Sequence, residues 1–263
     1  MIYQKDCIEL LSETPAESVD LIYIDPPFNT GDFQTKTTQK FFQTEYGRLG
    51  FGNKHYKGEV LSKLSYLDAR SDYLDWMYKI VSLTKNVLKS SGSIYLHLDY
   101  REAHYVKVLM DDIFGEDNFL NEIIWAWDYG ARTSKTWPRK HNNILWYSKS
   151  PNYFFDIQQS DRIEYLSPAL VGAEKAERGK TPTDVFWITI VPTNGKEKTG
   201  YPNQKPEKLL ERLILTTCPE GGTVMDFFAG SGTTGAVAKK YNRNYILSDN
   251  NPKAIEIMKG RLE

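Results

Sequence analysis

Residues 21–31, LIYIDPPFNTG, end an apolar run in a carboxylate, two prolines and an aromatic ring. Proline has no N–H to give to a sheet ladder, so a strand here stops at Ile24 or Asp25 and passes into a stiff loop. Pro26 and Pro27 hold that loop rigid and aim two acceptors, the Asp25 carboxylate and the Pro26 carbonyl, at one point. An exocyclic amine has two N–H groups, and these acceptors can take both. Accepting them draws the nitrogen lone pair out of conjugation with its ring and turns it toward an electrophilic methyl. Phe28 offers a flat face for stacking. The stretch reads as a holder for an amino-bearing base; a plain strand-to-loop turn is the simpler alternative.

A second constellation lies near the other end of the chain. GSGTTG, Gly230 to Gly235, follows the apolar TVMDFF and opens a helical pattern. Backbone N–H groups and the helix N-terminus would then face a ligand. About twenty residues on, Asp249 ends the next apolar run, where an acid commonly binds a ribose diol. The pair reads as a nucleoside-cofactor site rather than a glycine turn with a helix cap. A nicotinamide dinucleotide fits poorly, because Asp226 would stand beside its pyrophosphate. S-adenosylmethionine has no phosphate, and a carboxylate favours its ammonium and sulfonium.

These loops need a scaffold, and the chain supplies short apolar runs alternating with amphipathic helices. That alternation predicts an α/β fold, a doubly wound and mostly parallel sheet. VDLIYI (19–24) and SIYLHLD (93–99) read as buried strands; 71–88 and 101–115 read as helices, the first capped by Ser71. NEIIWAW (121–127) and NNILWYS (142–148) read as a strand pair at one edge of the sheet. Residues 205–217 form a helix with Pro206 in its first turn, and 222–240 and 244–262 each read as strand, loop, helix, with Asn251 capping the last. The polar stretch after Thr30 is long for a connection inside a compact unit, which marks it as functional or disordered. Residues 150–200 are the least regular part of the chain.

Composition sets limits. The 263 residues are 40% hydrophobic and 25% charged, ordinary for a soluble globular protein. No apolar run approaches a bilayer span and the N-terminus has no signal pattern, so a cytosolic enzyme is expected, with no membrane partner. Cys7 and Cys218 alone suggest neither a disulfide framework nor a zinc site, and His104 and His141 lack partners at metal spacing, so no metal is proposed. His97 reads as a strand histidine and Asp99 as a lesser candidate for the pocket. The net charge of −1 gives no sign of a nucleic-acid partner, but charge can be local. Residues 130–149 hold Arg132, Lys135, Arg139, Lys140 and Lys149 with no acid, interleaved with Trp137, Trp146 and Tyr147. Aromatics beside cations suit bases and phosphates; a solvated loop is the simpler reading.

With these residues in view, the chain resembles the DNA amino-methyltransferases in which the catalytic motif precedes the cofactor motif (the beta class). It is similar to the N6-adenine methyltransferases of restriction–modification systems, including type III modification subunits. The likeness runs through KDCIELLSETPAESVDLIYIDPPFNTG, LKSSGSIYLHLD, IFGEDNFLNEIIW, HNNILWYSKS, TGYPNQKPEKLLERLI and VMDFFAGSGTTGAVAKKYNRNYILSDNNP. It implies a Rossmann-like S-adenosylmethionine-dependent fold over 1–263 as one methyltransferase domain. Asp25, Pro26, Pro27 and Phe28 fall on the catalytic positions. Asp226, Phe227, Ala229, Gly230, Gly232 and Thr233 fall on the cofactor loop and Asp249 on the ribose-binding acid. Lys205 and Pro206 fall near the methionine end of the cofactor, and Asp25 is counted among the cofactor-binding positions as well. Asp6, Phe28 and Asn29 fall in the base pocket, with Lys5 where glycine is usual and Phe28 where tyrosine is commoner.

The implied activity is transfer of methyl from S-adenosylmethionine to adenine N6 in double-stranded DNA. Asp rather than Ser before Pro-Pro favours adenine N6 over cytosine N4, which is the alternative; a catalytically silent DNA-recognition subunit is the alternative of another class. Arg132, Lys135, Arg139, Lys140 and a loop at 31–63 would contact DNA, and about 150–200 would form a small irregular target-recognition insertion. The resemblance leaves room for a homodimer and for a cognate restriction enzyme as partners, and it places the protein in a bacterial or phage-type cytoplasm, at the nucleoid.

Overall fold

In the computed structural model, residues 1–46, 48–49, 54–68, 72–130 and 132–263 are described, with the backbone path alone for 32–39, 41, 48–49 and 61–68. In chain order come β1 (Ile2–Tyr3), α1 (Cys7–Glu13), β2 (Val19–Ile24), β3 (Asp32–Thr44), β4 (Arg48–Leu49), β5 (His55–Asp68) and α2 (Tyr73–Val87). Then follow β6 (Leu88–Leu98), α3 (Ala103–Phe114), β7 (Phe119–Ala126), β8 (His141–Ser148), α4 (Ala173–Arg178) and β9 (Val185–Trp187). The chain closes with α5 (Glu207–Thr217), β10 (Thr223–Asp226), α6 (Thr233–Lys240), β11 (Asn244–Ser248) and α7 (Pro252–Leu262).

Among the described residues the main sheet has eight strands in the order β1-β11-β10-β2-β6-β8-β7-β9. Only β8 runs against the others. All six residues of β2 are buried, as a central strand covered on both faces requires. Its side chains divide by alternation: Ile22 and Ile24 enter the core formed with α1, α2 and α3, while Leu21 and Tyr23 enter the one formed with α5 and α6. β6 continues the sheet on one side of β2 and β10 on the other. That reversal of winding is the place where such sheets open a crevice at the carboxyl ends of their strands.

Asp20, buried at the start of β2, pins this centre: it accepts from the Thr223 amide at 2.8 Å and from Lys89 Nζ at 2.8 Å. A charge-assisted pair of this kind holds strands distant in sequence at a fixed register.

Three expectations change. The strand pair β7/β8 is present and antiparallel, but it is not the edge, because β9 adds outside β7 through Ile124↔Val185. The irregular region thus contributes a strand; it is also tied to α5, where Asp161 accepts from Arg212 at 2.8 and 2.9 Å. The stretch expected as a loop at 31–63 is a long hairpin, with β3 paired to β5 from Asp32↔Asp68 to Thr44↔His55. The stretch is polar along most of its length and carries no sustained apolar alternation of the kind that announces a strand. Pro206 stands at the N-cap of α5, one residue before the helix, and Ser71 lies outside the described residues.

Candidate active site

β10 and β2 are parallel neighbours, paired at Val224↔Leu21 and Met225↔Ile22. Their carboxyl ends therefore deliver Asp226 and Asp25 to the same edge of the sheet. Both line one cavity of about 400 Å³, as do Asp249, Gly230, Lys205 and Trp76. Its size is that of a small-molecule site.

The glycine loop is held from two sides. Asp249 Oδ2 accepts from the Gly230 amide at 3.0 Å and its Oδ1 from the Asn251 amide at 2.9 Å. Burial raises the Asp249 carboxyl above the ordinary carboxylate range. Asp226 Oδ1 accepts from the Phe228 amide at 3.0 Å and Oδ2 from Thr234 Oγ1 at 2.5 Å. Burial dominates there and pushes its carboxyl up to about 7, against the pull of those two donors. Glycine is required in this turn: Gly230 and Gly232 have φ of 48° and 72°, and a Cβ on Gly230 would sit 2.9 Å from the Tyr201 ring. Gly232 itself stays off the cavity wall and caps α6. Ala229 and Thr233 line the cavity, as does Phe227, which is buried to 1% in the core. Arg261 reaches from α7 to Thr233 Oγ1 at 3.1 Å, to the Ser231 carbonyl at 3.2 Å and to Glu207 at 2.6 Å.

Lys205 joins the two loops. Its Nζ pairs with Asp25 Oδ2 and lies 5.6 Å from the centre of the Phe28 ring. Its carbonyl accepts from Thr233 Oγ1 at 3.2 Å. Asp25 Oδ1 faces His97 Nδ1 at 4.0 Å. Pro27 and Asn29 line the cavity; Pro26, Pro206 and Phe28 are not on its wall. Phe28 is half-buried against the core, its ring 5.9 Å from that of His97. Asn29 has φ 54° and donates through Nδ2 to Glu102 at 2.9 Å, which fixes the end of the loop.

Asp6 lines the cavity and also caps α1, accepting from the Ile8 amide at 2.9 Å. Neighbouring Lys5 is turned to Glu9 and Glu13 along the same helix. Asp99 is not on the wall: it accepts from the Arg101 amide at 2.9 Å and pairs with the Arg101 guanidinium. Among the described residues no group of His, Cys, Asp and Glu could hold a metal ion.

The basic loop leaves the ends of β7 and β8 and is closed at its base by Trp127 N–H donating to the Lys140 carbonyl at 3.0 Å. Arg132, Lys135 and Arg139 are exposed, and Trp137 is 93% exposed. Arg139 lies 4.4 Å from the Tyr100 ring centre. Lys140 is committed elsewhere, donating to the carbonyls of Asp128 at 3.0 Å and Gly130 at 2.7 Å. Reading the sequence did not single out Tyr201, Trp76 or Arg261, nor give His97 a neighbour in the site. Only strand register and loop folding bring these residues to it.

The cavity fits a nucleoside with a cationic end: the Asp249 carboxylate for the sugar side, aromatic walls, and acids where positive charge would lie. The DNA methylase family model matches residues 19–260. A type II methyltransferase of Haemophilus parainfluenzae, M.HpaI, is 31% identical over 98% of this chain and 72% of its own length. The DNA adenine methyltransferase YhdJ of Escherichia coli K12 is 29% identical over 100% of this chain and 82% of its own. Among solved structures, the cytosine-N4-specific PvuII DNA methyltransferase superposes with a TM-score of 0.69 at 21% identity, covering 100% of this chain and 86% of that one. M1.HpyAVI in complex with SAM follows at 0.61 and 20%, covering 100% and 98%. From β2 into α7, this chain is a member of the DNA methylase family.

Proposed function

We propose that the chain transfers a methyl group from S-adenosylmethionine to the N6 amino group of adenine in double-stranded DNA. One observation carries the reading: Asp25 and the glycine loop, far apart in sequence, line the same cavity from neighbouring strands. The target base leaves the duplex stack to reach the Asp25 end of this cavity, beside Pro26 and Phe28. The Asp25 carboxylate and the Pro26 carbonyl accept the two amine N–H groups, and the Phe28 ring stacks on the base, with Asp6 and Asn29 flanking it. Bound S-adenosylmethionine supplies an electrophilic methyl on sulfur. Asp25 is the base within reach for the proton that leaves the nitrogen. Because Lys205 now holds Asp25 Oδ2, that oxygen must be shared or yielded when the amine arrives.

The cofactor side follows from the loop. Asp249 takes the ribose hydroxyls while bonded to the Gly230 amide; Asp226, Phe227, Ala229, Gly232 and Thr233 shape the turn; Lys205 and Pro206 border its methionine end. Asp249→Ala removes both the ribose contact and the brace on Gly230. We expect S-adenosylmethionine affinity to fall by roughly 1.5–3 kcal/mol. Titration calorimetry measures this, and an unchanged dissociation constant would remove Asp249 from the site.

The chain is read as one methyltransferase domain, with the hairpin and the basic loop gripping DNA and residues 150–200 reading the target. Lys40, Lys54 and Lys57 are exposed along the hairpin, as phosphate contact requires. Among the described residues no helix is long and apolar enough to cross a membrane, and the proposed site of action is the cytoplasm. One relative by name acts on adenine (YhdJ), and a structural neighbour acts on cytosine N4 (PvuII). Asp before Pro-Pro favours adenine. Nucleoside mass spectrometry of duplex DNA after reaction is expected to show N6-methyladenine; N4-methylcytosine as main product would overturn the assignment.

A further inference from the structure

We infer that His97 and Asn142 are positioning residues: they brace the Asp25 carboxylate and tie it to the strands that carry the basic loop. The inference rests on Asp25 being the acceptor of the amine.

Register makes the connection. β2 and β6 pair at Tyr23↔Tyr95 and Ile24↔Leu96, so the next position sets Asp25 beside His97, on the face shared by Tyr23 and Tyr95. β6 and β8 pair at His97↔Ile144 and Leu98↔Asn143, which leaves Asn142 on that same face, one step toward the basic loop. A single row therefore crosses the sheet from the catalytic loop to the start of β8.

The contacts follow the row. His97 Nδ1 is 2.8 Å from Tyr23 Oη and 4.0 Å from Asp25 Oδ1, and Nε2 is 3.0 Å from Asn142 Nδ2. The imidazole also lies 5.9 Å from the Phe28 ring and edge-on to Trp125 of β7 at 5.4 Å. One side chain thus lies beside the acid without a hydrogen bond to it, and packs on the aromatic of the same loop and on both strands at the base of the basic loop. Burial first, and Lys205 second, hold the imidazole well below its usual pKa, so it is neutral. With the Asn142 amide donating to Nε2, the ring keeps its proton on Nδ1 and donates to Tyr23 Oη.

Packing alone does not account for this residue. Its side chain is 0% exposed among Tyr95, Ile144 and Trp125, where an apolar residue would avoid the cost of burying two ring nitrogens. A satisfied buried polar network fixes direction, which hydrophobic contact does not. Here the direction fixed is that of the imidazole, which lies 4.0 Å from the carboxylate at the end of β2 and packs beside it.

The test compares His97→Phe, which keeps a ring without hydrogen bonds, with His97→Asn, which keeps a polar atom near Nδ1, and Asn142→Ala. Single-turnover rates at saturating S-adenosylmethionine and duplex DNA are measured beside the dissociation constant of each ligand. His97→Phe is expected to slow methyl transfer by about 10–100-fold, with both dissociation constants changed by less than about twofold. His97→Asn is expected to restore about fivefold or more of that loss, and Asn142→Ala to add nothing to His97→Phe. Recovery by asparagine separates positioning from general destabilisation. Asp25→Ala is the reference. If it turns over, the acceptor reading fails; if it is dead while His97→Phe runs at the wild-type rate, only the present inference fails. Should His97→Phe not fold, Asn142→Ala decides alone, and a wild-type rate there overturns the inference.

Discussion

Asp25→Ala is expected to lower methyl transfer by about a thousandfold or more, because removing one preorganised hydrogen-bonding group from a reacting centre costs about 10²–10³ and the base for the departing proton goes with it. A tritiated-methyl assay on duplex DNA reads this directly. Cofactor binding is expected to change only a few-fold, since the loop that holds the nucleoside is braced by Asp226 and Asp249 rather than by Asp25. The small change has a source: without Asp25, the Lys205 ammonium, whose side chain is 10% exposed, loses its ion-pair partner beside a cofactor that is itself cationic. Asp25→Asn keeps the shape and, in the amide oxygen, one acceptor, but loses the charge and the base for the proton, and it is expected to be slowed less than Asp25→Ala. Turnover above a few per cent of wild type in Asp25→Ala would remove Asp25 from the chemistry.

Replacing Arg132, Lys135, Arg139 and Lys140 with alanine is expected to weaken DNA binding by roughly 10–100-fold at 0.1 M salt while leaving cofactor affinity alone. The slope of log affinity against log salt is the sharper readout. Each phosphate contact contributes about 0.9 to it. Lys140 is occupied by the Asp128 and Gly130 carbonyls and acts as a clip on the loop, so three cations remain to meet phosphates. The slope should therefore shrink by up to about 2.7, not by the value for four. An unchanged slope and affinity would make the loop a solvated surface and move the DNA path elsewhere.

The two loops were legible in the sequence because each is a local pattern: a buried apolar run cut off by prolines, and a glycine turn opening a helix. Their meeting was not. β2 and β10 pair across most of the chain, and nothing in either segment names its neighbour. His97 shows the same limit on a smaller scale. The residues around it correctly announced a strand, but its place beside Asp25 follows from the register between β2 and β6, which alternation within one strand cannot give. The hairpin of β3 and β5 escaped for a different reason. Its strands are polar along most of their length and carry no sustained apolar alternation, so the stretch reads as a loop. The resemblance sets Lys205 near the cofactor, and its ion pair with Asp25 is a contact that the sequence does not announce.

The pairing at the centre of the sheet also sets a clock. Asp20 in β2 accepts from the Thr223 amide, 203 residues further along the chain. At a translation rate of about 5–20 residues per second, about 10–40 s pass between synthesis of the catalytic strand and arrival of its second neighbour. During that interval β6 can cover one edge of β2, but the other edge of a mostly apolar strand, buried throughout in the finished fold, stands open, which invites pairing with other chains. Holdase chaperones acting on the nascent chain would find their target in VDLIYI, and ribosome-released fragments ending before Thr223 would be the species most prone to aggregate.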